Sequence, residues 1–243
     1  MSEPRPTLRP EYFDTLYAAN LDPWKFATSA YERGKYTLTL NAMPNPRYRS
    51  ALEVGCSIGI LTRSLASRCD AVVAIDAAQT ALVEARRRCA DLPSVRFEHM
   101  FVPEQWPDGA FELILLSEVI YYLSRNDVGR LAARVTNSLA KGGSVILVHW
   151  TGPTDYPLTG DEAAALFIER IGPTCVIKRG DSSSLTGTAT TKPGRMGEAS
   201  PGDGKGKEAT PMPDGSSNME SPELLGNELR PLSASLERTD HPR

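Results

Sequence analysis

The chain has no apolar run approaching the ~20 residues that carry a helix across a bilayer. Its first residues, MSEPRPTLRP, lack the apolar centre of a secretory leader. A cytoplasmic location without membrane insertion is therefore expected. Neither sign of charge dominates: 27 Lys and Arg stand against 30 Asp and Glu, a net charge of −3. That balance gives no electrostatic reason to expect nucleic acid as a partner. Cysteine is scarce. Cys56, Cys69, Cys89 and Cys175 lie thirteen, twenty and eighty-six positions apart with no C-x-x-C, so no zinc pattern is present and reduced thiols without a metal site are expected. Aromatic residues are missing from the end of the chain, none of the six Phe, three Trp or eight Tyr falling after Phe167.

That last absence divides the molecule. The 72 residues from Gly172 to Arg243 hold ten Gly, eight Pro and nine Ser, with charges that nearly cancel. Such a composition does not bury enough apolar surface to offset backbone entropy. Residues 173–243 are expected to form a disordered tail, with a weak helical tendency around Glu223 to Leu236. Cutting after Arg179 should then leave thermal stability unchanged. The remainder reads as an N-terminal helical cap, 1–45, and a core, 46–172.

From residue 51 the chain alternates two periods. Ala51–Val54, Ala71–Ile75, Val95–Phe97, Phe111–Leu116 and Ser144–His149 are apolar runs suited to strands covered on both faces. Between them, Ile60–Leu65, Ala78–Cys89 and Val128–Leu139 carry helical apolar stripes, the last expected to end at Lys141-Gly142-Gly143. The fold class expected is α/β: a doubly wound, mostly parallel sheet with right-handed crossovers. Ligands of such sheets bind beyond the C-terminal strand ends. That rule selects Gly55 to Gly59, Asp76, Met100 and Phe101, Ser117 and Glu118, and His149 and Trp150 as one pocket. Helices over Tyr12–Ala19 and Trp24–Leu40 would cap it.

Glu53-Val54-Gly55-Cys56-Ser57-Ile58-Gly59 is the chemistry-bearing loop, and it admits three readings. The dinucleotide fingerprint G-x-G-x-x-G fails, because Ser57 and Ile60 replace two of its glycines. A nucleophile elbow, G-x-S-x-G with Ser57 attacking, matches in letters. It lacks the preceding strands and an oxyanion segment. A nucleoside-binding loop needs an acid before it, Glu53, and an acid closing the next strand to take ribose hydroxyls, Asp76. An N-cap for the following helix is the competing use of Asp76; the three features together favour the ribose.

The stretch LEVGCSIGILTRSLASRCDAVVAIDA resembles class I S-adenosylmethionine-dependent methyltransferases. Asp22-Pro23-Trp24, Tyr31-Glu32-Arg33-Gly34-Lys35-Tyr36, Ser117-Glu118-Val119-Ile120-Tyr121-Tyr122 and His149-Trp150 narrow the resemblance to the nodulation protein S family, over roughly residues 10–172. It implies S-adenosyl-L-methionine as cofactor, held by Glu53, Gly55, Ser57, Gly59, Asp76, Met100, Phe101, Ser117, Tyr31 and Lys35. It implies N-methylation of a free amine on a deacetylated chitooligosaccharide, an oligosaccharide partner of nodulation-factor synthesis. Trp24, Tyr121, Tyr122, Trp150, Asp155 and Tyr156 would face that acceptor. Other small-molecule acceptors, or cofactor binding with little turnover, stay open. The sequence departs from the family at Met100 and Phe101, where relatives often carry an acid for the adenine. It also lacks an evident final antiparallel strand pair: only Cys175-Val176-Ile177 is a strand candidate, as after a frameshift or truncation.

An attacking amine must be neutral, so the chemistry needs a proton acceptor or exit. Glu118 and His149 are the candidates. Glu118 is equally suited to a structural role, holding the cap through Lys35 or Arg33, and His149 to a buried place beneath the cap.

Overall fold

The computed structural model describes residues 5–150, 152 and 154–171, and the backbone of 175–180 and 233–238. Two helices, α1 (Pro10–Ala19) and α2 (Ala30–Asn41), come first. An alternating unit follows: β1 (Tyr48–Val54), α3 (Ile60–Ala66), β2 (Cys69–Asp76), α4 (Gln79–Arg88), β3 (Val95–His99), β4 (Phe111–Ser117), α5 (Arg125–Ser138), β5 (Leu139–Val148) and α6 (Gly160–Ile171). Strands β6 (Cys175–Gly180) and β7 (Ser233–Arg238) complete a seven-stranded sheet in the order β3-β2-β1-β4-β5-β7-β6. The first five strands pair in parallel. β7 runs antiparallel to both β5 and β6. The doubly wound α/β expectation is met.

Side-chain alternation along the strands builds a core on each face. Leu52, Val54, Ile114, Leu116, Val145 and Leu147 point to the side covered by Leu131 and Val135 of α5 and Phe167 of α6. Ala51, Ala74, Leu113, Leu115, Ile146 and Val148 point to the other, covered by Leu61 and Leu65 of α3 and Leu82 of α4. Apolar residues on both faces explain why these strands read as continuous hydrophobic runs.

Three expectations change. The cap's second helix starts at Ala30, where Ser29 caps it by accepting from Glu32 N–H. The preceding segment turns because Asp22 accepts from the amides of Phe26 and Ala27, at 2.7 and 2.9 Å. Next, α5 ends at Ser138, so Lys141-Gly142-Gly143 is no helix C-cap. Leu139 already pairs with Phe111, and the register jumps to Leu113 opposite Ser144. Residues 140–143 form a bulge in which Gly142 supplies φ +71°.

The third change concerns the C-terminal part. Cys175–Gly180 is a strand, as the apolar triplet suggests, but Ser233–Arg238 is also a strand and lies between β5 and β6. The expected helical tendency thus fails at its C-terminal end, and the antiparallel pair is present. The rest of the expected tail, residues 181–232 and 239–243, lies outside the described residues. No helix among the described residues is long and apolar enough to cross a membrane.

Deleting residues 181–243 removes β7 and leaves the β5 edge unpaired. Circular dichroism melts should show a lower Tm for the shortened chain, each lost kcal/mol moving Tm by about 2–4 °C at this size. An unchanged Tm would contradict the pairing of β7. Phe167→Ala, at a fully buried position, should cost about 3–5 kcal/mol in chemical denaturation.

Candidate active site

Strand order reverses between β1 and β4, whose C-terminal ends open a crevice. The loop leaving β1 is shaped by left-handed residues: Gly55, Ser57 and Gly59 have φ of +82°, +49° and +78°. A Cβ on Gly55 would stand 2.5 Å from the Ser117 carbonyl oxygen and 2.3 Å from Val119 Cγ2, so only glycine lets the loop pass the end of β4. Gly55 and Cys56 donate their amides to the Ile75 carbonyl, at 2.9 and 3.1 Å. Arg88 of α4 donates to the Ile58 carbonyl at 2.9 Å, bracing the loop's far side.

Asp76 is not the N-cap of α4: Ala78 holds that position, and no side chain caps it. Asp76 Oδ1 accepts from Ala78 N–H at 2.8 Å just before the helix, and its Oδ2 accepts from Ser57 N–H at 2.8 Å. Burial raises its pKa against these backbone donors. Each oxygen retains a lone pair for a further donor. Ser57 Oγ hydrogen-bonds the Tyr17 hydroxyl of α1. No histidine among the described residues bonds Ser57, so the elbow reading gains no support. Glu53 is buried beneath the loop. Neither of its oxygens makes a full hydrogen bond among the described residues, and burial, opposed by the nearby Thr62 hydroxyl, pushes its pKa up to about 7.

Across the crevice, α2 meets the end of β4 through one ammonium. Lys35 Nζ lies 2.7 Å from Glu32 and 2.8 Å from Glu118. Glu118 has φ +56°, rare for a side-chain-bearing residue. It also accepts from the Tyr121 hydroxyl at 2.6 Å and Trp150 N–H at 2.8 Å. Burial works against its charge, but Lys35 and the two neutral donors prevail, and its pKa lies below the ordinary carboxylate range. Glu32 keeps a raised pKa because its burial outweighs the attraction of Lys35.

The loop and the ion pair face one small cleft. Of the residues singled out from sequence, it is lined by Glu53, Gly55, Ser57, Ser117, Glu118 and Lys35, joined by Phe26 and Tyr36. Gly59 and Asp76 do not line it. Met100 packs on the core, and the Phe101 ring lies 4.6 Å from the Arg9 guanidinium; neither lines the cleft. Trp24 is held between Tyr17 and Phe26, at 5.6 and 5.5 Å. Tyr31 meets Trp150 edge-on at 5.9 Å. Tyr121 stacks on Tyr156 at 5.4 Å, with Tyr122 edge-on to both. Asp155 uses its carbonyl to hold Arg5. His149 is buried with neither ring nitrogen hydrogen-bonded among the described residues; Nε2 is 3.8 Å from Asp161, and burial lowers its pKa.

Sequence reasoning missed Tyr17 as a loop contact and Glu32 as a second carboxylate on Lys35. The i,i+3 spacing of Glu32 and Lys35 on a helix was the available signal. Tyr17, a hydrophobic member of an aromatic-rich helix, offered none.

A carboxyl whose pKa rises from 4.5 to about 7 on folding binds a proton in the folded state that it has lost in the unfolded one. Its favourable contribution is complete below pH 4.5 and is lost as pH climbs through 7. Glu53→Gln should therefore raise stability at pH 8 by on the order of 3 kcal/mol relative to pH 4. Thermal melts across that range should show Tm gains confined to the alkaline side; a uniform change would contradict the assignment.

The nodulation protein S (NodS) family model matches residues 14–147. Nodulation protein S of Rhizobium tropici is 30% identical over 129 residues, 51% of this chain and 53% of that protein. The Sinorhizobium fredii protein is 31% identical over 130 residues, covering 51% and 59%. The chain thus spans about half the length of the curated relatives it matches. Among solved structures, N-methyltransferase NodS from Bradyrhizobium japonicum WM9 in complex with S-adenosyl-L-homocysteine superposes with a TM-score of 0.60 at 21% identity. That match covers 72% of this chain and 90% of that one, and it concerns the fold. A Pseudomonas syringae structure provisionally named a methyltransferase is 37% identical, with a TM-score of 0.53 over 62% of this chain and 90% of that one. With more than half its residues matched by the family model, and with the class I methyltransferase sheet, the chain belongs to the nodulation protein S family.

Proposed function

We propose that this protein is an S-adenosylmethionine-dependent N-methyltransferase whose acceptor is the free amine of a deacetylated chitooligosaccharide, made in the cytoplasm during nodulation-factor synthesis. The observation that carries the reading is the single cleft in which the glycine loop faces the Lys35–Glu118 pair. The residues suit the cofactor. Gly55 lets the loop press against the end of β4, Asp76 has lone pairs for ribose hydroxyls, and Glu53 is a buried carboxyl whose oxygens make no full hydrogen bond among the described residues. Ser117 and Lys35 line the same cleft, with Gly59 closing the loop and Tyr31 packed on Trp150 beside it. Met100 and Phe101 would meet the adenine only after Phe101 leaves Arg9.

S-adenosylmethionine, when bound, supplies a methyl group on a sulfonium. What the protein supplies is alignment, which can lower a barrier by ~7–11 kcal/mol. Glu118, whose two oxygens hold three donors, fixes the acceptor side by holding Lys35, Tyr121 and the Trp150 amide in place. It makes a poor proton acceptor because its carboxyl is already held ionised. His149, kept neutral by burial with Nε2 3.8 Å from Asp161, is the better acceptor for the amine proton. Tyr156, Trp24 and Trp150, which are only partly buried, are rings of the kind that stack on sugars, and Asp155 has an exposed carboxylate, whereas Tyr121 and Tyr122 are packed into the core behind Tyr156.

Calorimetric titration with S-adenosylhomocysteine should show micromolar binding, and deacetylated chitooligosaccharide should gain one methyl group by mass spectrometry. Methylation of other amines but not this one would replace the acceptor; binding without any product would overturn the enzymatic reading. Glu118→Gln should lower kcat at least about tenfold while leaving S-adenosylhomocysteine affinity nearly unchanged, because its contribution falls on the reacting side. His149→Phe should lower kcat by about 10²-fold or more. Unchanged turnover would remove the respective role.

A further inference from the structure

The Lys35 ammonium is not simply one half of an ion pair. It is enclosed on several sides. Two carboxylates touch it, Glu32 at 2.7 Å and Glu118 at 2.8 Å. Three rings surround it, with Phe26, Tyr31 and Tyr36 centroids 5.8, 5.7 and 5.9 Å away. The lysine side chain is only 7% exposed. Paired carboxylates with aromatic faces around one cation form the arrangement that binds alkylammonium ligands. Phe26, Tyr36 and Glu118 line the same cleft as the glycine loop, so the enclosure opens where an acceptor would enter.

We propose that this enclosure is an alkylammonium-binding box, that Lys35 is its resident cation, and that Lys35 thereby excludes charged amines from the cleft. The last part rests on the methyltransferase reading; the box itself does not. With the box filled from within, Glu118 has no uncompensated charge to attract an acceptor's ammonium. An acceptor amine then approaches as the neutral base, the form that is able to take a methyl group. Removing Lys35 vacates the box and leaves two buried carboxylates in need of a cation.

The test uses the full chain and asks for binding alone, so its result is independent of methyl transfer. Ethylammonium chloride, compared with sodium chloride at equal ionic strength, should raise the Tm of Lys35→Ala by about 3–6 °C at tenfold excess over Kd. Wild type and the Lys35→Ala/Glu118→Gln double variant should not respond. Equal behaviour of all three would overturn the box.

If Lys35→Ala does not fold, Lys35→Met retains the packing of the stem and reports on the same carboxylates by pH. Around Glu118 stand Glu32, Tyr31 and Tyr36 of α2, Tyr121 after β4 and His149 after β5, all electrostatically coupled to it. Without the ammonium, Glu32 and Glu118 must take up protons to stay buried. Stability of Lys35→Met should therefore be highest near pH 5 and fall toward pH 8 relative to wild type. A pH profile parallel to wild type would show that the carboxylates do not depend on a resident cation, and would overturn the proposal.

Discussion

One buried ammonium ties the cap to the sheet. Lys35 reaches from α2 to Glu118 beyond β4, and the two residues are 83 positions apart in the chain. Charges this deeply enclosed are tolerated only where partners and hydrogen bonds replace water. Here they do: Glu118 gathers Lys35, the Tyr121 hydroxyl and Trp150 N–H, drawing together α2 and the segments after β4 and β5. Removing one partner would leave the others charged or unpaired, which is why the mouth of the sheet behaves as a unit.

The opposite wall is built from backbone rather than charge. Gly55 brings the loop against the end of β4, and Asp76 ties that loop to the start of α4. Tyr17 of α1 then touches Ser57 at the loop's crest. Cap and loop are thereby linked twice, through Lys35 on one side and Tyr17 on the other.

Most of the parallel sheet was legible because its strands are buried on both faces and read as unbroken apolar runs. The loop was legible because Glu53, the small residues and Asp76 recur at distances that the strand-loop-helix geometry imposes. What stayed hidden depends on distant partners. Lys141-Gly142-Gly143 looks like a helix end until Leu139 is seen opposite Phe111. Ser233–Arg238, mixed in polarity and without aromatics, gains strand structure only from backbone pairing with β5 and β6. Glu118 was singled out as a base or as a cap anchor, and the sequence alone did not choose; the three donors on its carboxylate favour the anchor.

If the glycine loop and the Lys35–Glu118 pair are two walls of one ligand site, a ligand bound there must protect both. Hydrogen exchange with and without S-adenosylhomocysteine tests it most directly. The account predicts added protection in the segments 53–60, 76–79, 117–119 and 30–36 together, with β3 and α5 unaffected. Binding that protects the loop alone, or protects a different face of the sheet, would contradict it.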